Sequence, residues 1–343
     1  MADTSDYNNQ TTSDHILFTV EDHHVAGLLL IMTAFFGACA NYIVVFLTDK
    51  ISSLQNAFGR LTRNQAIGEA ILLTIFALYF GPMILFDIDF FKSDSVARVF
   101  GHINLVCYDI CIYSHLIISM NRFTAIYFPF HYNEIFSKRY VLAMIFGIYF
   151  TAIAPSLYMY IYEDCHLIYQ EPFWKFNFIS TPACITIMYY WDFWRYVFTV
   201  SLIALLDVLT FAKARISSVK VNITDAVARK RRHDEIKFVK QVCLQGVVFV
   251  CELLTYFILP RFFQSRWVIF LLTTFAWALV HACDGYITLF FNKEFFRLLK
   301  AILSSKSQYS ASILDQMKPT STLQSYTSAN TEHHSAHLEG NKQ

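Results

Sequence analysis

Five acids and a histidine stand inside long apolar runs of this chain: Glu69, Asp109, Asp207, Glu252, Asp284 and His281. Their spacing groups them. Trp277, His281, Asp284 and Thr288 are separated by four, three and four residues, so a helix carries all four on one face. Gln241, Gln245, Glu252 and Tyr256 share a face in the same way. Carboxyl and imidazole groups in an apolar medium must share protons, pair with each other or hold a cation. The cysteines show no C-x-x-C or similar spacing, and His281 with Asp284 is too small a ligand set for a metal hydrolase. The expectation is no catalytic residue, no cofactor and no metal.

The elements that must position these groups follow from composition. Of 343 residues, 55% are hydrophobic and only 15% are charged, against about 25% charged in a soluble domain. The net charge of +1 gives no footing for nucleic acid. The apolar residues gather into seven bilayer-length spans: Val25–Leu47, Gln65–Phe86, Phe100–Asn121, Tyr140–Tyr162, Tyr196–Ala212, Val239–Phe262 and Trp267–Phe291. A soluble helical protein would carry a polar stripe on most helices, and these spans are apolar on every side apart from isolated residues. The predicted fold is an all-α membrane protein, a bundle of seven transmembrane helices in the lipid bilayer.

Lys and Arg set the orientation. Residues 1–24 hold neither, and Lys50, Arg60, Arg63, Arg122, Lys138, Arg139 and a dense set from Lys213 to Lys240 fall on alternate loops. Basic loops stay in the cytoplasm, so the N-terminus is expected outside. Residues 1–24 then form an extracellular tail with a glycosylation sequon at Asn9. Residues 25–303 form the membrane domain, ending in an amphipathic eighth helix over residues 292–300. Residues 304–343, rich in Ser, Thr and His, are expected to be a disordered cytoplasmic tail. Cys165 and Cys184 both fall in the loop between spans four and five, and the other external segments hold no cysteine. That is the oxidising side, so these two are expected to form a disulfide.

Depth, counted at about 1.5 Å per residue, sorts the polar groups into layers. Asn41, Glu69, Asp207 and Asp284 are expected roughly 6–11 Å inside the cytoplasmic boundary, with Gln245 at the same level. We read them as an inner network that responds to conformation, the alternative being static polar glue between helices. Asp109, Glu252, Trp277 and His281 form a second layer near the midplane. They line a ligand pocket or link it to the network, and Glu252 and His281 are at a depth to pair.

The third span ends in SHLIISMNRFTAIYFPFHY, residues 114–132. An isolated arginine at a helix mouth commonly just reaches for the interface. Here the stretch is similar to the D/E-R-Y region of rhodopsin-like G-protein-coupled receptors, and Pro129 fits that pattern. More closely it resembles the nematode serpentine chemoreceptors of class X, as do NAFGRLTRNQAIGEAI (56–71), QGVVFVCELLTYF (245–257) and TTFAWALVHACDGYITLFFNKEF (273–295). The likeness covers most of residues 25–300.

The resemblance implies a chemosensory receptor in the plasma membrane of sensory neuron cilia. It implies a small-molecule ligand outside and a heterotrimeric G protein inside. It assigns coupling to Asn121, Arg122 and Phe123. Asn121 replaces the usual acid, so a resting partner for Arg122 is sought elsewhere, and Glu235 at the start of helix six is the candidate. Asp284-Gly285-Tyr286-Ile287-Thr288 stands where N-P-x-x-Y is expected. The usual cysteine at the outer end of helix three and the C-W-x-P of helix six are missing.

Other classes fit less well. A retinal protein needs a lysine in helix seven, and residues 267–292 contain none. An ion channel or transporter using the carboxylates as an ion path is the alternative, but no internal repeat or paired broken helices accompany it.

Overall fold

The structure is a computed structural model. It describes the backbone of residues 5–86, 94–220 and 226–316, and side chains within these except at 5–21, 94, 172, 217–220, 226–235 and 305–316. Asn9 and Glu235 therefore lie outside the residues whose side chains are described.

Seven long apolar helices are present among the described residues: α1 (Asp22–Lys50), α2 (Ala57–Phe86), α3 (Ser95–Tyr127), α4 (Lys138–Ile161), α5 (Pro182–Ile216), α6 (Ile236–Phe262) and α7 (Arg266–Phe291). Large apolar side chains such as Leu78, Phe146, Phe198 and Phe290 face outward, while Glu69, Asp109, Asp284 and His281 are buried. That inside-out distribution suits a lipid surround, in which ionisable side chains turn to the bundle interior.

α3 is central and packs on α2, α4, α5 and α6, while α1 packs on α2 and α7. Small residues allow the close crossings. A Cβ on Gly37 would lie 2.4 Å from that of Ala282, and one on Gly285 would meet the Asn41 amide at 2.8 Å.

Between α4 and α5 lies an antiparallel hairpin, β1 (Leu167–Gln170) with β2 (Lys175–Phe178), in register Leu167↔Phe178 and Gln170↔Lys175. Its turn holds Trp174 in the left-handed region at φ 47°, a costly position for a bulky residue. Packing holds it there. The ring is fully buried against His23, Trp267 and Phe270, and the Trp174 carbonyl accepts from Thr274 Oγ1 at 2.8 Å. Cys165 and Cys184 form a disulfide that ties the start of this segment to the first turn of α5.

Several boundaries differ from the sequence expectation. α2 begins eight residues earlier, at Ala57, because Asn56 caps it by accepting from Gly59 N at 3.0 Å. α5 begins at Pro182, so the second half of the expected loop from Glu163 to Arg195 is helix. α3 runs on to Tyr127, so Arg122 lies in the last turns of the helix, not at its end. Residues Met1–Phe295 form one compact unit and Phe296–Gln343 another. A further helix, α8 (Lys293–Gln316), starts where the amphipathic segment is expected and extends beyond residue 303, where the expected tail begins.

Candidate functional site: buried polar groups through the bundle

Near the hairpin end the helices enclose a cavity of about 40 Å³, lined by Asp192 and Tyr196 from α5, Glu252 and Tyr256 from α6, Tyr108 from α3 and Trp277 from α7. β1 and β2 cover it with Leu167, Asn177 and Phe178, and Tyr256 Oη donates to the Phe176 carbonyl at 3.0 Å. Asp192 lies in a π-helical turn, Ile187–Phe193, and Tyr256 in another, Leu254–Ile258. Each such turn rotates the residues that follow relative to a regular helix, a common device at functional sites.

Beside the cavity is a buried ionic cluster. Arg195 donates two hydrogen bonds to Asp109, at 2.9 and 3.0 Å, and one to Asp192 at 3.2 Å. Tyr196 Oη donates to Asp109 at 2.6 Å, and Arg195 reaches Tyr113 Oη at 3.0 Å. The fork-on-carboxylate geometry is the strong form of this interaction. Asp109 is thus held by Arg195, a residue the sequence reading left in an external loop.

Beneath the cavity, Trp277 packs edge-on against Phe76 and Tyr108. One turn further along the same face, His281 Nδ1 is hydrogen bonded to Glu69 Oε2 at 2.5 Å, and its Nε2 lies 3.9 Å from Glu252 Oε1. Glu69 and Asp284 are neighbours in this buried group. Gln65 donates to Asp284. Asn41 Nδ2 donates to the backbone carbonyls of His281 and Gly37, each at 3.1 Å.

The two expected layers therefore merge around His281. Because α2 starts at Ala57, Glu69 is twelve residues into it, about 18 Å. There it meets His281 of α7. Glu252 and His281 do lie within ion-pair range, but the nearer carboxylate is Glu69.

Gln245 and Gln241 donate to Thr288 Oγ1 at 3.3 and 3.2 Å, and Asn292 donates to Gln241 Oε1 at 3.1 Å. Asp207 stands apart from this network. It faces His115 of α3 at 4.0 Å and abuts Gly246, where an added Cβ would lie 2.6 Å from its Oδ2.

Glu69, Cys111 and His281 each offer a ligand atom within 4.8 Å of the others. The direct 2.5 Å contact between His281 and Glu69 is closer than two ligands of a tetrahedral ion would stand. As arranged, this is a hydrogen-bonded pair.

At the opposite end of the bundle, the Arg122 guanidinium lies 3.6 Å from the centre of the Phe58 ring on α2 and 4.8 Å from Phe238 on α6. Asn121 is fully buried and donates to Tyr132 Oη at 3.1 Å. Phe123 stacks on Tyr127 with ring centres 4.4 Å apart.

The sequence matches the serpentine-type 7TM GPCR chemoreceptor Srx family over residues 31–292. The chain belongs to that family. Two curated relatives from Caenorhabditis elegans agree. Serpentine receptor class X 45 is 37% identical over 83% of this chain and 84% of its own length. Serpentine receptor class X-43 is 26% identical over 81% of this chain and 87% of its own. Among solved structures, squid rhodopsin superposes with a TM-score of 0.66 at 14% identity, covering 83% of this chain and 86% of that one. This likeness shows the seven-helix fold. The receptor is thus a multi-pass membrane protein of a chemoreceptor type.

The sequence pointed to Glu69, Glu252, His281, Asp284 and Asn41, which the fold gathers. It missed Asp192, Arg195, Tyr196, Gln65 and His115. The signal for the first two was present: Asp192 and Arg195 are three apart in WDFWRY, a helical spacing for an ion pair.

Proposed function

We propose that this receptor binds a small molecule in the cavity beneath the hairpin and activates a heterotrimeric G protein at the end that carries Arg122. The hairpin, the disulfide and residues 1–24 then face the outside, and the loops rich in Lys and Arg face the cytoplasm. The observation that carries the reading is the succession of buried polar side chains from cavity to core. Glu252 lines the cavity and lies 3.9 Å from His281, which is bonded to Glu69, itself a neighbour of Asp284. A ligand that shifts Glu252 or Trp277 changes the environment of the buried acids between α2, α6 and α7. The equilibrium between two packings of those helices then follows ligand occupancy.

Membership of the chemoreceptor family supports an external chemical as ligand and a sensory neuron as the site of expression, with plasma membrane of the cilia as its place. The disulfide supports passage through an oxidising compartment. α8 is read as lying along the cytoplasmic interface.

The test is a chemical screen on surface-expressed receptor, read by G-protein activation. A ligand that activates the wild type, but not a variant of Glu252 or Trp277 present at equal surface level, supports this reading. Ligand-gated ion flux with no G-protein activation would replace it with a channel that uses the same carboxylates.

A further inference from the structure

The cavity beneath the hairpin joins two carboxylates, Asp192 and Glu252, to the rings of Tyr108, Tyr196, Tyr256 and Trp277. Both acids are nearly inaccessible, with 3% and 4% of their surface exposed. Among the described residues their charges are only partly balanced. Arg195 is the cation bonded to this cluster, and both its terminal nitrogens are engaged by Asp109, with a single 3.2 Å bond left for Asp192. Three carboxyls, of Asp109, Asp192 and Glu252, thus stand against one guanidinium. His281 lies beneath Glu252 at 3.9 Å, but its other nitrogen is bonded to Glu69, so its charge when protonated answers a further acid. Glu252 Oε2 makes no hydrogen bond among the described residues, the Tyr108 hydroxyl being the donor that adjoins this carboxyl. A buried carboxylate oxygen without a donor is costly. Aromatic faces around an acid form the usual receptor for a cation.

We infer that the ligand of this receptor is a small amine, bound as its ammonium ion between Asp192 and Glu252. The inference rests on the proposed receptor function and specifies its ligand class. The ammonium donates to Glu252 Oε2 and to Asp192, and the surrounding rings present their negative faces to it. A carboxylate or phosphate in the same place meets two like charges, so anions are rejected. A neutral alcohol of equal size donates one hydrogen bond and leaves the charge uncompensated.

The inner cavity holds a head group only. The rest of the ligand extends into a second cavity of about 370 Å³ whose walls include Asn177, Met188, Tyr256 and Phe257, all of which also line the first. That outer cavity also carries Lys175 and Arg261. A cationic head therefore settles at the acidic inner end and an apolar or polar tail at the basic mouth.

The test uses purified full-length receptor in detergent, with thermal stabilisation as the direct binding readout and G-protein activation as a separate one. The probes are matched sets: butylamine, butanol and butyrate, then phenethylamine, phenethyl alcohol and 3-phenylpropionate. At least one amine is expected to raise the thermal midpoint at concentrations tenfold or more below those at which its alcohol and acid act. Glu252→Gln is expected to weaken amine binding at least tenfold and to leave alcohol binding unchanged. Asp192→Asn supplies the same comparison should Glu252→Gln fail to fold. An amine that binds with this selectivity but activates no G protein keeps the inference and overturns the coupling reading. Alcohols or acids that bind as well as amines, amine binding indifferent to both substitutions, or no binding by any amine would overturn the inference.

Discussion

The Arg122 guanidinium lies 3.6 Å from the centre of the Phe58 ring and 4.8 Å from that of Phe238, and the two rings are 4.9 Å apart. One cation therefore ties α3 to α2 and α6 through aromatic faces. Such contacts are worth about 0.5–2 kcal/mol each, enough to shift a two-state equilibrium by roughly 2- to 30-fold. Replacing Phe238 by Ala is expected to raise basal G-protein activation within that range. Arg122→Ala is expected to abolish agonist-driven activation with surface level nearly normal. Full activation by Arg122→Ala would reduce the residue to an interfacial anchor.

Glu69, His281 and Asp284 are expected to act as one group, because the histidine bonds one acid at 2.5 Å and the second acid adjoins the first. Glu69→Gln and Asp284→Asn are each expected to change basal activity or agonist potency several-fold. Residues in one buried network couple by about 0.5–3 kcal/mol, so the double variant should depart from the sum of the singles. Surface-normalised dose–response curves for the three variants measure this. Additive effects near zero would leave only static glue between α2 and α7.

Cys165 and Cys184 are 19 residues apart, and the loop they close contains the whole hairpin over the cavity. Closing such a loop contributes roughly 3 kcal/mol in the chain-entropy picture. The Cys165→Ser, Cys184→Ser double variant is expected to melt earlier and to lose ligand-induced stabilisation as the hairpin loosens. Peptide mapping without reductant on wild-type receptor must recover the linked pair. Two free thiols there would remove the premise.

The spans, their number and the acids inside the expected spans were legible because a bilayer demands long apolar helices and leaves each ionisable residue conspicuous. Helix ends were not legible in the same way. NAFGRLTRNQ reads as a polar loop by hydropathy, yet Asn56 caps a helix there, and that early start moves Glu69 to the level of His281. Arg195 illustrates a second limit. An arginine beside aromatic residues at a span's edge is ordinarily interfacial, and only the tertiary approach of α3 supplies Asp109 as its partner. The aromatic partners of Arg122 were equally hidden, since Phe58 and Phe238 lie far from it in sequence and carry no charge to attract notice.

The Arg195–Asp109 pair gives the clearest stability test. Arg195 is 13% exposed at its side chain and Asp109 only 2%. Removing one partner of a buried pair leaves the other charge uncompensated, at a cost of about 3–5 kcal/mol. Here Arg195→Ala strands both Asp109 and Asp192, so the receptor is expected to melt well below wild type and to reach the surface poorly. Asp109→Asn should cost less, because its amide can still accept from Tyr196 and Arg195 retains Asp192. Adding Asp109→Asn to Arg195→Ala removes one stranded charge, so the double variant should be more stable than Arg195→Ala alone. Thermal midpoints of the three purified variants decide it. A double variant that melts as low as the sum of the single losses would show that the two residues contribute independently, and that Asp109 is not held by Arg195.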